Sequence, residues 1–105
     1  MKLIQLLSEK IEEELEDACS YIDSAFEYKD EDRATADVFA QLAAEEIGHA
    51  NKLHDRVVAV IAEYRGKHGD PPPEMQWRYD YLHKQHIEKA RRIKIKQALY
   101  KEESK

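Results

Sequence analysis

Apolar residues recur at intervals of three or four along most of the chain, the spacing that places them on one face of an α-helix. The first such segment runs from Leu3 to Tyr28 and the second from Asp32 to Arg65. The polar stretch Lys29–Asp32 between them is short, so the two helices must be antiparallel neighbours. The pattern therefore predicts an α-helical hairpin.

A stretch rich in glycine and proline follows the hairpin. Its three consecutive prolines forbid continuation of the helix, and Pro73 suits the first position of a new one. Apolar residues beyond this point follow a looser helical pattern. The sequence thus predicts one all-α domain over residues 1–105, made of a helix hairpin (1–66), a Gly/Pro linker (67–73) and a basic C-terminal helix (74–105).

Charge is distributed unevenly between these parts. Residues 1–70 hold 8 Lys/Arg against 17 Asp/Glu, whereas residues 71–105 hold 9 against 5, for a net charge of −5. We expect the basic helix to dock onto the acidic hairpin, with Trp77 and Tyr81 packing between them. The acidic total and the lack of base-reading groups beside the basic run argue against nucleic-acid binding.

The sequence also indicates a cellular location. Cys19 is the only cysteine, which favours a reducing compartment. The opening MKLIQLLSEK is interrupted by Glu9 and does not resemble a signal peptide, and no apolar run approaches the ~20 residues that cross a bilayer. We expect a cytoplasmic protein without a membrane partner.

Two ionisable residues lie within the apolar stripe of the second helix. Glu46 and His49 are three positions apart and share a face, which we expect to point inward at the centre of the stripe. Burying a carboxylate is costly unless it is paired or bound to a metal. Carboxylate and imidazole ligands suit iron, manganese and zinc. Alternatively, the two residues pair with each other or with a lysine and fix the helix register.

Glu14 differs from the other acidic residues of the first helix. It follows Ile11 by three positions and so borders the inward stripe, whereas Glu12 and Glu16 rotate outward. Glu14 and Glu46 are each about 16 residues from the middle of the turn, so antiparallel pairing places them at one depth. Two carboxylates and one imidazole are therefore predicted to converge.

These residues resemble the metal-binding helix pair of the ferritin-like superfamily. Glu14 with Tyr21 seven positions later, followed by AAEEIGHA from Ala43, is similar to the pattern of rubrerythrins and encapsulated ferritins. The resemblance covers residues of about 5 to 60. It implies that Glu14, Glu46 and His49 are metal ligands and that Tyr21 lies near the metals. The resemblance to encapsulated ferritins also adds a second possible location, the inside of a protein compartment within the cytoplasm.

The chain departs from a full ferritin-like bundle, which has a second glutamate helix and a second E-x-x-H helix. Half-length members of the superfamily complete the bundle by two-fold pairing. The resemblance thus implies a homodimer or higher homo-oligomer that binds two irons per dimer and oxidises Fe(II) with dioxygen or peroxide. Manganese or zinc binding without turnover is one alternative, and a metal-free helical interaction module is another.

The third helix carries two further histidines. His83 and His86 are three positions apart and can share a face. They are candidates for additional metal ligands, for a metal-uptake pair or for ordinary surface histidines. His54 follows His49 by five positions, and we expect it to point away from the metal ligands and to be exposed.

Overall fold

The computed structural model describes residues 1–104, which form three α-helices and no strand. These are α1 (Lys2–Tyr28), α2 (Arg33–His68) and α3 (Pro73–Glu103). α1 and α2 are antiparallel, and α3 runs parallel to α1, since Met75, Lys89 and Glu103 contact Met1, Glu12 and Lys29 in the same order. The molecule is a rod of 55 × 19 × 17 Å. The predicted helical hairpin with a third helix is confirmed.

The first turn ends where Asp32 caps α2. The Asp32 carboxylate accepts hydrogen bonds from the Thr35 amide at 3.1 Å and from the Thr35 hydroxyl at 2.8 Å. These bonds satisfy an otherwise unpaired amide at the helix start and lower the pKa of Asp32. The position of this cap explains why α2 begins at Arg33.

The second connection is shorter than the linker predicted over residues 67–73. α2 continues to His68 because a glycine at position 66 is tolerated inside a helix at a cost of about 1 kcal/mol. The helix stops at Gly69, whose φ of 77° is left-handed and whose amide donates to the Arg65 carbonyl at 3.0 Å. As predicted, Pro73 begins the next helix.

The apolar core lies mainly between α1 and α2. Its members include large residues such as Leu15 and Ile22 and a seam of fully buried alanines at positions 18, 25, 36 and 43. Alanine side chains allow the two helix backbones to approach closely. α3 adds two buried side chains, Ile93 and Tyr100, and the Tyr100 hydroxyl donates to Asp37 at 2.7 Å.

Charge pairing attaches α3 to α1. Lys96 binds Asp23 at 2.7 Å, and Lys89 binds Glu12. Glu12 also lies 3.3 Å from the His86 ring. The prediction that basic residues of the third helix meet the acidic hairpin is confirmed, and Glu12, expected to be solvated, belongs to this contact.

The expected packing of Trp77 and Tyr81 against the hairpin is wrong. Their residues are 69% and 52% exposed, and the two rings stack on each other with centroids 5.7 Å apart. Tyr79, which is half-buried, faces the hairpin instead. Residues two positions apart on a helix point in nearly opposite directions, so only one of these aromatic sets can face inward.

Replacement of Leu15 by Ala tests the core between α1 and α2. The buried Leu15 side chain should leave a cavity, and we expect the free energy of unfolding to fall by about 2–5 kcal/mol. Leu6→Ala, at an exposed position of the same helix, should change it by less than about 0.5 kcal/mol. Chemical denaturation followed by circular dichroism measures both, and equal losses would contradict the packing described.

Candidate metal centre

Glu14 of α1 and both Glu46 and His49 of α2 come together on one side of the hairpin. One ligand atom from each lies within 4.8 Å of the other two. The two carboxylates are half-buried and the imidazole is exposed. The structure therefore places the three residues singled out in the sequence side by side, at one depth of the hairpin.

Helix register explains this convergence. Tyr21 stacks on Phe39, with ring centroids 6.3 Å apart. Tyr21 follows Glu14 by seven positions and Phe39 precedes Glu46 by seven, so one antiparallel register brings both pairs together. Seven residues span about 10 Å of helix. The Tyr21 ring thus lies two turns along the same side and contacts Phe39.

The Glu14 carboxylate is incompletely satisfied. Its Oε2 atom is buried and, among residues 1–104, accepts no hydrogen bond, although His49 Nδ1 lies 3.4 Å away. The same nitrogen is 3.7 Å from Glu46 Oε1. A buried oxygen of a carboxylate without a donor is unfavourable, and a bound cation would satisfy it.

The pKa of Glu46 reflects the same crowding of negative charge. It is raised above its ordinary value, first because a proton on Glu46 can form a hydrogen bond to Glu14. Burial and the negative charge of Glu14 raise it further, and His49 lowers it. Two carboxylates this close favour holding a positive charge between them, either a proton or a metal ion.

The ligand set fits a transition-metal ion. Bonds from iron or zinc to oxygen and nitrogen are about 2.0–2.2 Å, so ligand atoms around one ion are separated by no more than about 4.4 Å. The present separations require only small side-chain rotations to meet this limit. Two carboxylates and one imidazole, with the remaining coordination positions open, are typical of sites for iron, manganese or zinc.

The site faces away from α3. Glu12, which binds Lys89 of α3, precedes Glu14 by two positions and so points about 200° around α1 from it. Glu46 and His49 were expected at the centre of the inward stripe, but Ala43, Ile47 and Ala50 occupy that centre. The site therefore lies at the border of the core, on the open side of the hairpin.

The histidines of α3 are not brought to this site. His86 lies beside Glu12, and burial is the largest cause lowering its pKa. His83 stacks on His54 of α2, with ring centroids 4.6 Å apart. His54, expected to be exposed, is half-buried by this contact. His54 follows His49 by five positions and therefore points about 140° further around α2, toward α3. The rings of His54, His83 and His86 thus all lie between the hairpin and α3, away from the metal centre.

Comparisons of the chain with protein-family models, with curated proteins and with solved structures find no match. Within residues 1–104, none of the three helices is long and apolar enough to cross a membrane. The geometry and chemistry of the site are therefore the basis on which a function can be inferred.

Glu46→Gln tests the electrostatics of the metal-free site. The folded chain holds a proton on Glu46 more tightly than the unfolded chain does, so protonation of Glu46 stabilises the fold. This contribution to the free energy of unfolding is fully present below the ordinary pKa of 4.5 and is lost as the pH rises through the pKa of the folded state. Glutamine resembles the protonated form and should retain it. We expect the metal-free variant to be more stable than the wild type at pH 7, with the difference vanishing near pH 4.

Denaturant unfolding in the presence of a chelator, repeated across this pH range, measures the effect. Glu45→Gln, one position away and exposed, is the matched control and should show no such pH-dependent gain. A Glu46→Gln variant with wild-type stability at every pH would contradict the raised pKa.

Proposed function

We propose that this protein is a ferritin-like metal-binding protein with a di-iron centre at a homodimer interface. The observation that carries the proposal is the convergence of Glu14, Glu46 and His49, with one buried Glu14 oxygen left without a donor among residues 1–104. Carboxylates that pair with lysine, such as Glu12, need no metal. Within residues 1–104 the only basic group close to Glu14 and Glu46 is the His49 imidazole, and a divalent cation is the simplest group to supply the missing positive charge.

The dimer follows from the number of ligands. A di-iron ferritin-like site takes a glutamate from each of two helices and a Glu-x-x-His pair from each of two others. This chain supplies half of that set, and a two-fold-related copy would supply the rest. Leu3 and Tyr28 share the Glu14 side of α1 and are exposed, about 16 and 21 Å along the helix on either side of Glu14, so a partner on this side would also meet apolar side chains at both ends of α1.

Each residue has a defined role in this proposal. Glu14 and Glu46 would hold the metal through oxygen and neutralise its charge, while His49 would provide a nitrogen ligand. Fe(II) would be the substrate of this site, and dioxygen or peroxide would be the oxidant that converts it to Fe(III). Half-burial of the carboxylates limits access by water, and the exposed imidazole leaves room for a partner and for metal uptake.

The metal-free interaction module is the competing function. In that case Glu46 and His49 form a polar pair that fixes the register of the hairpin. A register pair needs no third residue, whereas a metal site requires Glu14 to join it. The position of Glu14 within 4.8 Å of both favours the metal site.

Iron loading tests the proposal directly. The purified protein is mixed with Fe(II) under anaerobic conditions, and bound iron and molecular mass are measured before and after air is admitted. We expect about one iron per chain, a doubling of mass on loading and rapid oxidation in air. Glu46→Ala should abolish all three, whereas Glu45→Ala should preserve them.

The other outcomes identify a different function. Zinc or manganese binding at these residues without iron oxidation would support metal binding alone and exclude ferroxidase activity. No bound metal, together with an unchanged mass in Glu46→Ala, would exclude the metal site and favour the interaction module.

A further inference from the structure

α2 and α3 enclose a narrow cavity between two points of contact. At one end His54 stacks on His83, and at the other the Tyr100 hydroxyl donates to Asp37 at 2.7 Å. The two contacts are about 25 Å apart along α3. Between them lies a cavity of about 560 Å³, with Ile11 of α1 on its floor. This cavity is the α2–α3 slot.

Small side chains explain why the two helices leave a space here. In the register set by the histidine stack, Ala50 of α2 lies at the level of Ile87 of α3. Ile47 lies at the level of Ala90 in the same way, and all four residues line the slot. Because one member of each level is an alanine, the side chains do not fill the space between the helices. The walls of the slot are therefore apolar.

The lining of the slot carries no negative charge. None of its residues is an Asp or a Glu, although the chain has 22 of them. Its two cationic members are Arg91 and Lys94 of α3. Neither forms an ion pair among residues 1–104, whereas Lys89, Arg92 and Lys96 of the same helix each pair with a carboxylate. The slot thus combines apolar walls with two cations that no described carboxylate neutralises.

A second cavity in the molecule has a different charge. It lies beside the connection between α2 and α3 and has a volume of about 670 Å³. Three carboxylates line it, those of Glu9, Glu12 and Glu74, together with one arginine, Arg78. The lack of carboxylates is therefore a property of the α2–α3 slot and not of every cavity in this acidic chain. Its charge favours an anion.

Helical phase directs one of the cations into the slot. Lys94 follows His83 by eleven positions, which is three turns and about 20°, so its side chain leaves α3 on the side that contacts α2. Ile87 and Ala90 lie between them on the same side of α3. Lys94 and Arg91 are exposed, so a group bound to them stays at the mouth of the slot. An apolar path of about 16 Å leads from there to the histidine stack.

We propose that the α2–α3 slot binds an amphipathic anion, namely a carboxylate on a single aliphatic chain. The carboxylate lies between Arg91 and Lys94 at the mouth, and the chain lies against Ile47, Ala50 and Ile87. Burial of the chain supplies affinity, and charge-assisted hydrogen bonds from the two cations select the anion. The volume of about 560 Å³ is within the range of small-molecule sites.

The dimensions favour an aliphatic chain over a helix from another molecule. A volume of about 560 Å³ spread over about 25 Å gives the slot a mean width of about 5 Å. A helix with its side chains is about 10–12 Å wide, so it would cover the mouth without reaching the floor. The contacts at His54 and Tyr100 also close both ends, which limits the length of the occupant.

Calorimetric titration with dodecanoate tests the proposal. The full chain is titrated below the concentration at which dodecanoate forms micelles, with a chelator present so that the carboxylate cannot bind a metal ion. We expect saturable binding of one dodecanoate per chain. Dodecyltrimethylammonium, a cation with the same chain, should bind about tenfold more weakly, and acetate, which lacks the chain, should not bind. Glu46→Ala should bind dodecanoate as the wild type does, so failure of the di-iron proposal would not affect this result.

Substitutions in the slot locate the bound anion. Lys94→Glu should weaken dodecanoate binding by about tenfold or more, which corresponds to about 1.4 kcal/mol. Lys84→Glu makes the same change of charge at an exposed position of α3 outside the slot, and it should leave the affinity unchanged. Ala90→Phe should fill the slot and abolish binding, whereas Ala34→Phe, at an exposed position on the other side of α2, should not. Lys94→Glu replaces an exposed side chain, so it tests the site without disturbing the helix packing.

Several results would overturn the inference. Equal affinity for dodecanoate and dodecyltrimethylammonium would show that the slot does not select an anion. Equal losses in Lys94→Glu and Lys84→Glu would place the bound anion elsewhere. Absence of saturable dodecanoate binding would exclude an aliphatic anion. In that case, self-association abolished by Lys94→Glu would assign the slot to a second copy, and binding of an acidic amphipathic peptide would assign it to a protein partner.

Discussion

A turn of four residues, Lys29–Asp32, holds α1 and α2 in one antiparallel register, and the other features of the molecule depend on that register. The Asp32 cap determines where α2 begins, and from that point the pairing of residues is fixed for more than five turns. Tyr21 contacts Phe39, and Glu14 lies beside Glu46, because within each pair the two residues are the same number of positions away from the middle of the turn. A shift of one residue would rotate Glu46 by about 100° and separate the carboxylates.

The acidic residues of α1 lie in two different environments, and Glu12 and Glu14, only two positions apart in the sequence, lie in different ones. Glu12 and Asp23 are neutralised by lysines of α3, so their charge contributes to holding the third helix. Glu14, on the other side of α1, faces another carboxylate and an imidazole. The first environment is satisfied within the chain. The second retains an unbalanced negative charge, and this difference is the physical basis for proposing Glu14, rather than its neighbours, as a metal ligand.

Much of the fold and the centre of the site could be predicted from the sequence. Helical spacing located all three helices, and counting from the turn was enough to place Glu14 at the depth of Glu46. The side chains around them were harder to predict. The helical spacing placed Glu46 and His49 on an apolar side, but it could not show that Ala43 and Ala50 form the buried centre of that side, because alanine carries a weak hydrophobic signal.

α3 was the hardest element to orient from its sequence. It has apolar residues on both sides, so helical spacing alone allowed either Trp77 or Tyr79 to face the hairpin. The larger ring of Trp77 favoured the side that is exposed in the structure. The half-burial of His54 had a similar cause. It depends on the ring of His83 from a helix whose position follows from long-range charge pairs, and these have no signature in local spacing.

The alanine seam has a consequence for how the chain can vary. Ala18 lies one turn after Glu14, and Ala43 lies one turn before Glu46, with no exposed surface at either residue. A methyl group at each position acts as a spacer that determines how far apart the two helix axes lie. A larger side chain there would force the backbones apart. The gap between the carboxylates would widen with them, so the volume of two inert residues would limit which ions the proposed site could accept.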